Sequence, residues 1–147
     1  MKKDKTPDLL NAIYKNARMA TLAVDKIYDK FENKSLQSLI KKQNAKYEDI
    51  THRCEKIASE NNYPLNDING MLKMMSTSSI NMKTFIDNST SHIAEMMIQG
   101  TNMGIIEIIK KTGEFKSASP EVLKLARDLQ TAEEEFVDSL KTYLTKQ

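Results

Sequence analysis

Residues 6–61 read TPDLLNAIYKNARMATLAVDKIYDKFENKSLQSLIKKQNAKYEDITHRCEKIASEN, and this stretch decides the fold. Thr6-Pro7-Asp8 supplies a capping hydroxyl, a proline where its missing N–H costs nothing, and an acid for the positive first turn of a helix. Leu10, Ile13, Ala17, Ala20, Val24, Ile27 and Phe31 follow at alternating steps of three and four, the spacing of one buried helical face. Past Asn33, the positions Leu36, Ile40, Gln43, Tyr47, Ile50, Cys54 and Ile57 repeat the rhythm as far as Asn61, where Asn62, Tyr63 and Pro64 end it. The pattern predicts helices over about 7–32 and 35–61, and so short a connection makes them an antiparallel hairpin.

Further along, a stripe runs through Met71, Met75, Met82, Ile86, Ser89, Ile93, Met96, Gly100, Met103 and Glu107, with Phe85, His92 and Ile106 beside it, and Gly113 is its natural stop. A third helix is expected over about 79–112, with a helical or irregular lead-in from 67. Ser119-Pro120-Glu121 repeats the opening chemistry of the first helix. Val122, Ala126, Leu129, Glu133, Phe136, Leu140 and Tyr143 then supply the seam of a fourth, over about 120–145. The expected fold is a single all-α domain, residues 1–147, built as a four-helix bundle. Two topologies remain open. Asp67 to Ile80 could be the first turns of the third helix, in an up-down-up-down bundle, or part of a connection in which the stretch from Pro64 to Ile80 crosses the length of the bundle and links two hairpins.

Composition points the same way. Four Gly and three Pro in 147 residues are too few turn residues for a sandwich, barrel or α/β sheet. A formal charge of +2 gives no strong field to draw the chain onto nucleic acid, and Lys2, Lys3 and Lys5 read as a solvated tail. No apolar run approaches the roughly 18 to 20 residues of a membrane span, and no signal-type apolar segment follows the basic start, so a cytoplasmic protein is expected. The lone Cys54 cannot form an intrachain disulfide and sits on a seam as a small hydrophobe. The dominance of Lys, Asn and Ile suggests an AT-rich bacterial genome.

The second and fourth seams can be set in register at a constant spacing of 86, which pairs Tyr47 with Glu133 and Ile50 with Phe136. With two short-looped hairpins and a longer middle, the pattern resembles the ferritin-like superfamily. The stretch from Ser89 to Gly100, followed by Met103 and Gly104, also resembles a segment of small uncharacterised bacterial bundle proteins in that group. The resemblance implies a hairpin-crossover-hairpin bundle. In that superfamily it further implies a di-metal centre built from Glu on two helices and Glu-x-x-His on the other two. Residue by residue, the ligands are mostly missing. The first seam has no acid, Tyr47 and Ile50 stand where Glu and His belong, and Glu133 is followed by Phe136. Glu107 and Glu133 are the only seam carboxylates and the candidate metal ligands, with Tyr47 and Gln43 beside them. Their other reading is that both reach water or a lysine such as Lys110 near helix ends. No cofactor is expected, and iron or another transition metal is the alternative.

Ser89, His92 and Glu95 form a second polar group. His-x-x-Glu on one helix lacks the second histidine of a zinc-protease pattern, and His92 reads as a hydrogen-bonded residue between helices. His52 falls on the face opposite its helix's seam, beside Glu48 and Glu55. Seven of the nine methionines lie in the third segment, suited to core filling or an adaptable partner surface. His92 and Met96, four residues apart, also admit a soft-metal reading. Gly100 and Gly104 form a small-xxx-small pair that lets a neighbour come close. Of the run Glu133-Glu134-Glu135, the last two are expected on an exposed face that Lys41, Lys42 or Lys46 could answer in an oligomer. No glycine-rich phosphate loop or activated nucleophile is present.

The reading is therefore a non-catalytic binding or scaffold bundle that self-associates. The competing reading is a degenerate ferritin-like metal-binding protein or oxidoreductase using Glu107, Glu133 and Tyr47. Met71, Met74, Met75 and Ile80, together with Ile105, Ile108 and Ile109 pointing away from the seam, predict an exposed apolar surface and a homodimer, with a further protein partner possible.

Overall fold

The computed structural model describes residues 4–28, 31–66, 68 and 89–145. Four helices make up the described chain: α1 (Thr6–Ile27), α2 (Lys34–Asn61), α3 (Thr90–Glu114) and α4 (Pro120–Lys141), with no strand among the described residues. None of these helices is long and apolar enough to cross a membrane.

Three of the four starts are capped by a side chain. Asn33 Oδ1 accepts from Leu36 N at 2.9 Å, and Ser89 and Ser119 hydroxyls accept from His92 N and Val122 N at 3.3 Å each, satisfying amides that the first helical turn leaves open. The first helix departs from expectation. Thr6 is its first residue, not its cap: Asp4 Oδ1 accepts from Thr6 N at 2.9 Å, while the buried Thr6 hydroxyl accepts from Ser119 N at 2.8 Å and ties the start of α1 to the start of α4. α1 ends at Ile27, short of the predicted 32, although Phe31 is still buried. The fourth helix stops at Lys141 and gives way to turns through Thr145.

The third helix differs most. Ser89 has an extended backbone, ψ 153°, so α3 begins at Thr90 and not near 79. The expected lead-in and stripe positions from Met71 to Ile86, and with them Met74, Met75 and Ile80, lie outside the described residues; Ile68 is buried.

Cross-links between helices fix the topology. Ser35 bonds Tyr143, Gln43 bonds the Ala132 carbonyl and Arg53 bonds Asp128, so α2 and α4 run antiparallel. Thr6 meets Ser119 and Asn16 meets Gly104, so α1 and α3 are antiparallel as well. Together with the hairpin contacts α1·α2 and α3·α4, these pairings put Asn61 and Thr90 at opposite ends of the bundle. The up-down-up-down alternative is thereby corrected: α2 and α3 point the same way, and the chain from 62 to 89 joins opposite ends.

The core is divided along the bundle axis. One apolar cluster gathers Leu9, Ile13, Ile50, Cys54, Ile108, Leu125 and Leu129 around the α1 start, and the other gathers Val24, Ile27, Leu36, Ile40, Ile93, Phe136 and Leu140 at the opposite end. Because α2 and α4 are antiparallel, Leu36 packs with Leu140 and belongs to a different cluster from Val122, its partner in the 86-residue register.

On α3 the buried residues are Thr90, Ile93, Ala94, Thr101 and Ile108. The predicted stripe is therefore wrong beyond Ile93. Gly100 and Glu107 are exposed, and Met103 is 71% exposed. Ile108, expected to point outward, is fully buried, whereas Ile106 and Ile109 are exposed and Ile105 is half-buried. Four isoleucines within residues 105–109 surround the helix axis, so hydropathy alone cannot select the inner face there.

Candidate functional site: a polar layer inside the bundle

Between the two apolar clusters, every helix contributes polar or small groups. Gln43 and Tyr47 come from successive turns of α2, Thr101 and Gly104 from α3, Glu133 from α4 and Asn16 from α1. Glu133 is 1% exposed, and its Oε2 accepts a hydrogen bond from the Tyr47 hydroxyl at 3.1 Å. Its Oε1 is buried with no hydrogen-bond partner. Gln43 Nε2 donates to the Ala132 carbonyl at 3.3 Å, and Asn16 Nδ2 donates to the Gly104 carbonyl at 2.9 Å.

Gly104 makes the room for this carboxyl. A Cβ added there would stand 2.8 Å from Glu133 Oε2, 3.4 Å from Oε1 and 3.3 Å from Asn16 Oδ1. Of the small-xxx-small pair, only Gly104 serves close approach, and what approaches is a side chain; a Cβ at Gly100 would meet nothing within 4 Å.

Burial governs the chemistry of the layer. Desolvation pushes the Glu133 carboxyl up to about 8, against the opposing effect of the Tyr47 hydrogen bond, so the group carries its proton at neutral pH. The Tyr47 phenol is raised above its ordinary value, first by burial and then by the neighbouring Glu133, with Gln43 working the other way. It remains a proton donor. A neutral acid held by a neutral phenol can cross-link helices, and it offers no activated nucleophile or base at neutral pH. The other reactive group in the core, the Cys54 thiol, is pushed up to about 12 by burial and is likewise unreactive.

The residues singled out from sequence divide into two sets. Gln43, Tyr47 and Glu133 are brought together. Glu107 is exposed on the outside of α3 and does not join Glu133, which corrects its placement on the seam. Ser89, His92 and Glu95 stay in the first turns of α3, where Ser89 is the cap and His92 Nδ1 stands 3.9 Å from Glu95 Oε2 with both side chains partly exposed. His52 is 80% exposed beside Glu55 at 3.5 Å, on the outer face as expected. Lys46 reaches Glu135 of its own chain at 3.7 Å. Asn16, Thr101 and Gly104 complete the layer without having been singled out as polar partners. For Gly104 the small-residue spacing was a signal; for Asn16, lying outside the apolar stripe of α1, there was none.

A di-metal centre does not fit this interior. Glu133 is the only buried carboxylate among the described residues, Ile50 and Phe136 fill the core where imidazoles would stand, and no three His, Cys, Asp or Glu among the described residues are grouped to hold a metal ion. No protein-family model, curated protein or solved structure matches the chain.

Proposed function

We propose that the chain is a non-catalytic helical scaffold that acts through the outer face of α3 and associates with itself. The carrying observation is the exposure of Met103, Ile106 and Ile109, at 71%, 54% and 47%, on a bundle whose interior is already filled by the two apolar clusters. Large apolar side chains grouped on one helical face mark an interaction surface, and two-fold self-pairing is the commonest way to cover one. The polar layer then has a structural part: it favours one register, since sliding α2 against α4 would strand Glu133 without Tyr47, and sliding α1 against α3 would part Asn16 from the Gly104 carbonyl. The hairpin order supports a ferritin-like reading of the fold, without the metal chemistry that resemblance carries elsewhere.

Sedimentation equilibrium at low micromolar concentration tests the proposal. Wild type is expected as a homodimer, and Met103→Lys with Ile106→Lys as a folded monomer. A wild-type monomer that binds no apolar dye overturns the reading. Metal analysis of protein purified without chelator is expected to give far less than one iron, manganese, zinc or copper per chain. Full occupancy lost on Glu133→Ala would favour the metal-binding alternative instead.

A further inference from the structure

The outer side of α3 carries a second stripe with heptad spacing: Met96, Gln99, Met103, Ile106, Lys110 and Gly113 recur at steps of three and four. A helix that faces its own bundle needs only one such stripe. This one lies on the side away from Thr101 and Ile108, and its middle is the exposed pair Met103 and Ile106. Gly100 flanks that middle with open space at its missing Cβ, so no side chain there holds a neighbouring helix away.

Charge distinguishes the two ends of the stripe. Glu95 lies eight residues before Met103, and Lys110 lies seven residues after it. Among the described residues, Glu95 has the distant contact with His92, at 3.9 Å, and Lys110 has no acidic partner. An acid and a base at nearly equal distances on either side of an apolar centre complement each other when the helix meets a copy of itself head to tail. A parallel copy would instead set each charge against its like.

Building on the reading of α3 as an interaction face, we propose that its outer stripe packs against the same stripe of a second copy. The two helices run antiparallel about a two-fold axis beside Met103, with Glu95 of each copy across from Lys110 of the partner subunit. A 25-residue helix is about 37 Å long, long enough to anchor an interface of about 800 Å² per partner. Two-fold symmetry makes each contact occur twice, so the charge pairs act at both ends of the seam.

Charge reversal and disulfide trapping test the pairing together. Glu95→Lys alone, or Lys110→Glu alone, faces like charges twice in the dimer and should weaken association about tenfold at low salt; the two together should restore it. Met103→Cys, close to the axis, should link two copies under oxidising conditions, while Glu95→Cys should not, because the two copies of that residue lie at opposite ends of the seam. Cys54 is fully buried and stays out of the reaction. A dimer that ignores both single reversals, fails to recover in the double variant, or links through Glu95→Cys overturns the antiparallel pairing while leaving self-association standing. A wild-type chain that remains monomeric overturns both.

Discussion

The Tyr47 hydroxyl and the Glu133 carboxyl meet at 3.1 Å in a polar layer between the two apolar clusters, and they join α2 to α4 there. Glu133 Oε1 has no partner, so the layer is only partly satisfied. Leaving a buried polar group unpaired costs about 1–3 kcal/mol, and keeping the carboxyl neutral avoids the larger cost of a buried charge. The arrangement trades some stability for a fixed register.

That trade makes stability depend on pH in a definite direction. Burial lifts Glu133 from 4.5 to about 8, so the folded chain holds a proton that the unfolded chain releases above about 4.5. This group's contribution is therefore fully present below that value, falls as pH rises toward 8, and is flat beyond. Between pH 5 and pH 9 wild type should lose on the order of 4 kcal/mol through Glu133, and Glu133→Gln should lose far less. Urea melts at pH 5, 7 and 9 measure the difference. Parallel profiles for the two proteins would mean that the carboxyl reaches water in solution.

Gly104 yields a prediction opposite in sign to helix propensity. Alanine ordinarily stabilises a helix interior by about 1 kcal/mol over glycine, but a Cβ at Gly104 would press to 2.8 Å on Glu133 Oε2. Gly104→Ala should destabilise by about 1–3 kcal/mol, and Gly100→Ala, with nothing within 4 Å, should be neutral or stabilising. Combined with Glu133→Ala, which removes the obstructing carboxyl, Gly104→Ala should lose its penalty. A penalty that persists in that background would place the clash elsewhere.

How much of this was legible in the sequence depended on how sharply each helix divides its faces. α1, α2 and α4 alternate apolar and charged residues cleanly, and their seams from Leu10 to Ile27, Leu36 to Ile57 and Val122 to Leu140 follow the expected spacing, with Tyr47 and Glu133 on the inside; the reading in which Glu133 reaches water or a lysine is overturned by its burial. α3 is apolar on two sides. Its methionines and isoleucines satisfied a stripe through Gly100, Met103 and Glu107 as well as one through Thr101, Gly104 and Ile108, and hydropathy favoured the wrong one. What selects the true face is tertiary: Gly104 alone leaves space for Glu133, and that fact belongs to two helices at once. The topology was undecidable for a similar reason, since only cross-links such as Arg53 to Asp128 and Asn16 to Gly104 fix which ends meet.

The seams of α2 and α4 can be checked by truncation. Ile50 and Phe136 are each 3% exposed, so Ile50→Ala and Phe136→Ala should each cost about 2–5 kcal/mol. The His52 side chain is 80% exposed and its contact with Glu55 is a surface pair, so His52→Ala should cost less than about 0.5 kcal/mol. Denaturant melts of the three variants decide it, and a large loss at His52 would invert the assigned face of α2.

Ile108 and Ile109 give the sharpest test of the face that α3 turns inward, because they are the same residue type in adjacent positions with opposite surroundings. Ile108 is fully buried among the residues that include Ile13 and Leu129, whereas Ile109 is 47% exposed on the flank of the outer face. Removing the same atoms should therefore have unequal effects. Ile108→Ala loses its transfer energy and leaves a cavity, for about 2–5 kcal/mol, while Ile109→Ala should cost less than about 1 kcal/mol. The contrast is sharper with lysine. Ile108→Lys forces a charge into the core and should prevent folding, but Ile109→Lys should fold normally and alter only association. Circular dichroism and urea melts separate folding from association when read beside sedimentation. If Ile109→Ala were the costlier change, the inner face of α3 would not be the one through Thr101 and Ile108, and the place of Gly104 beside the Glu133 carboxyl would fall with it.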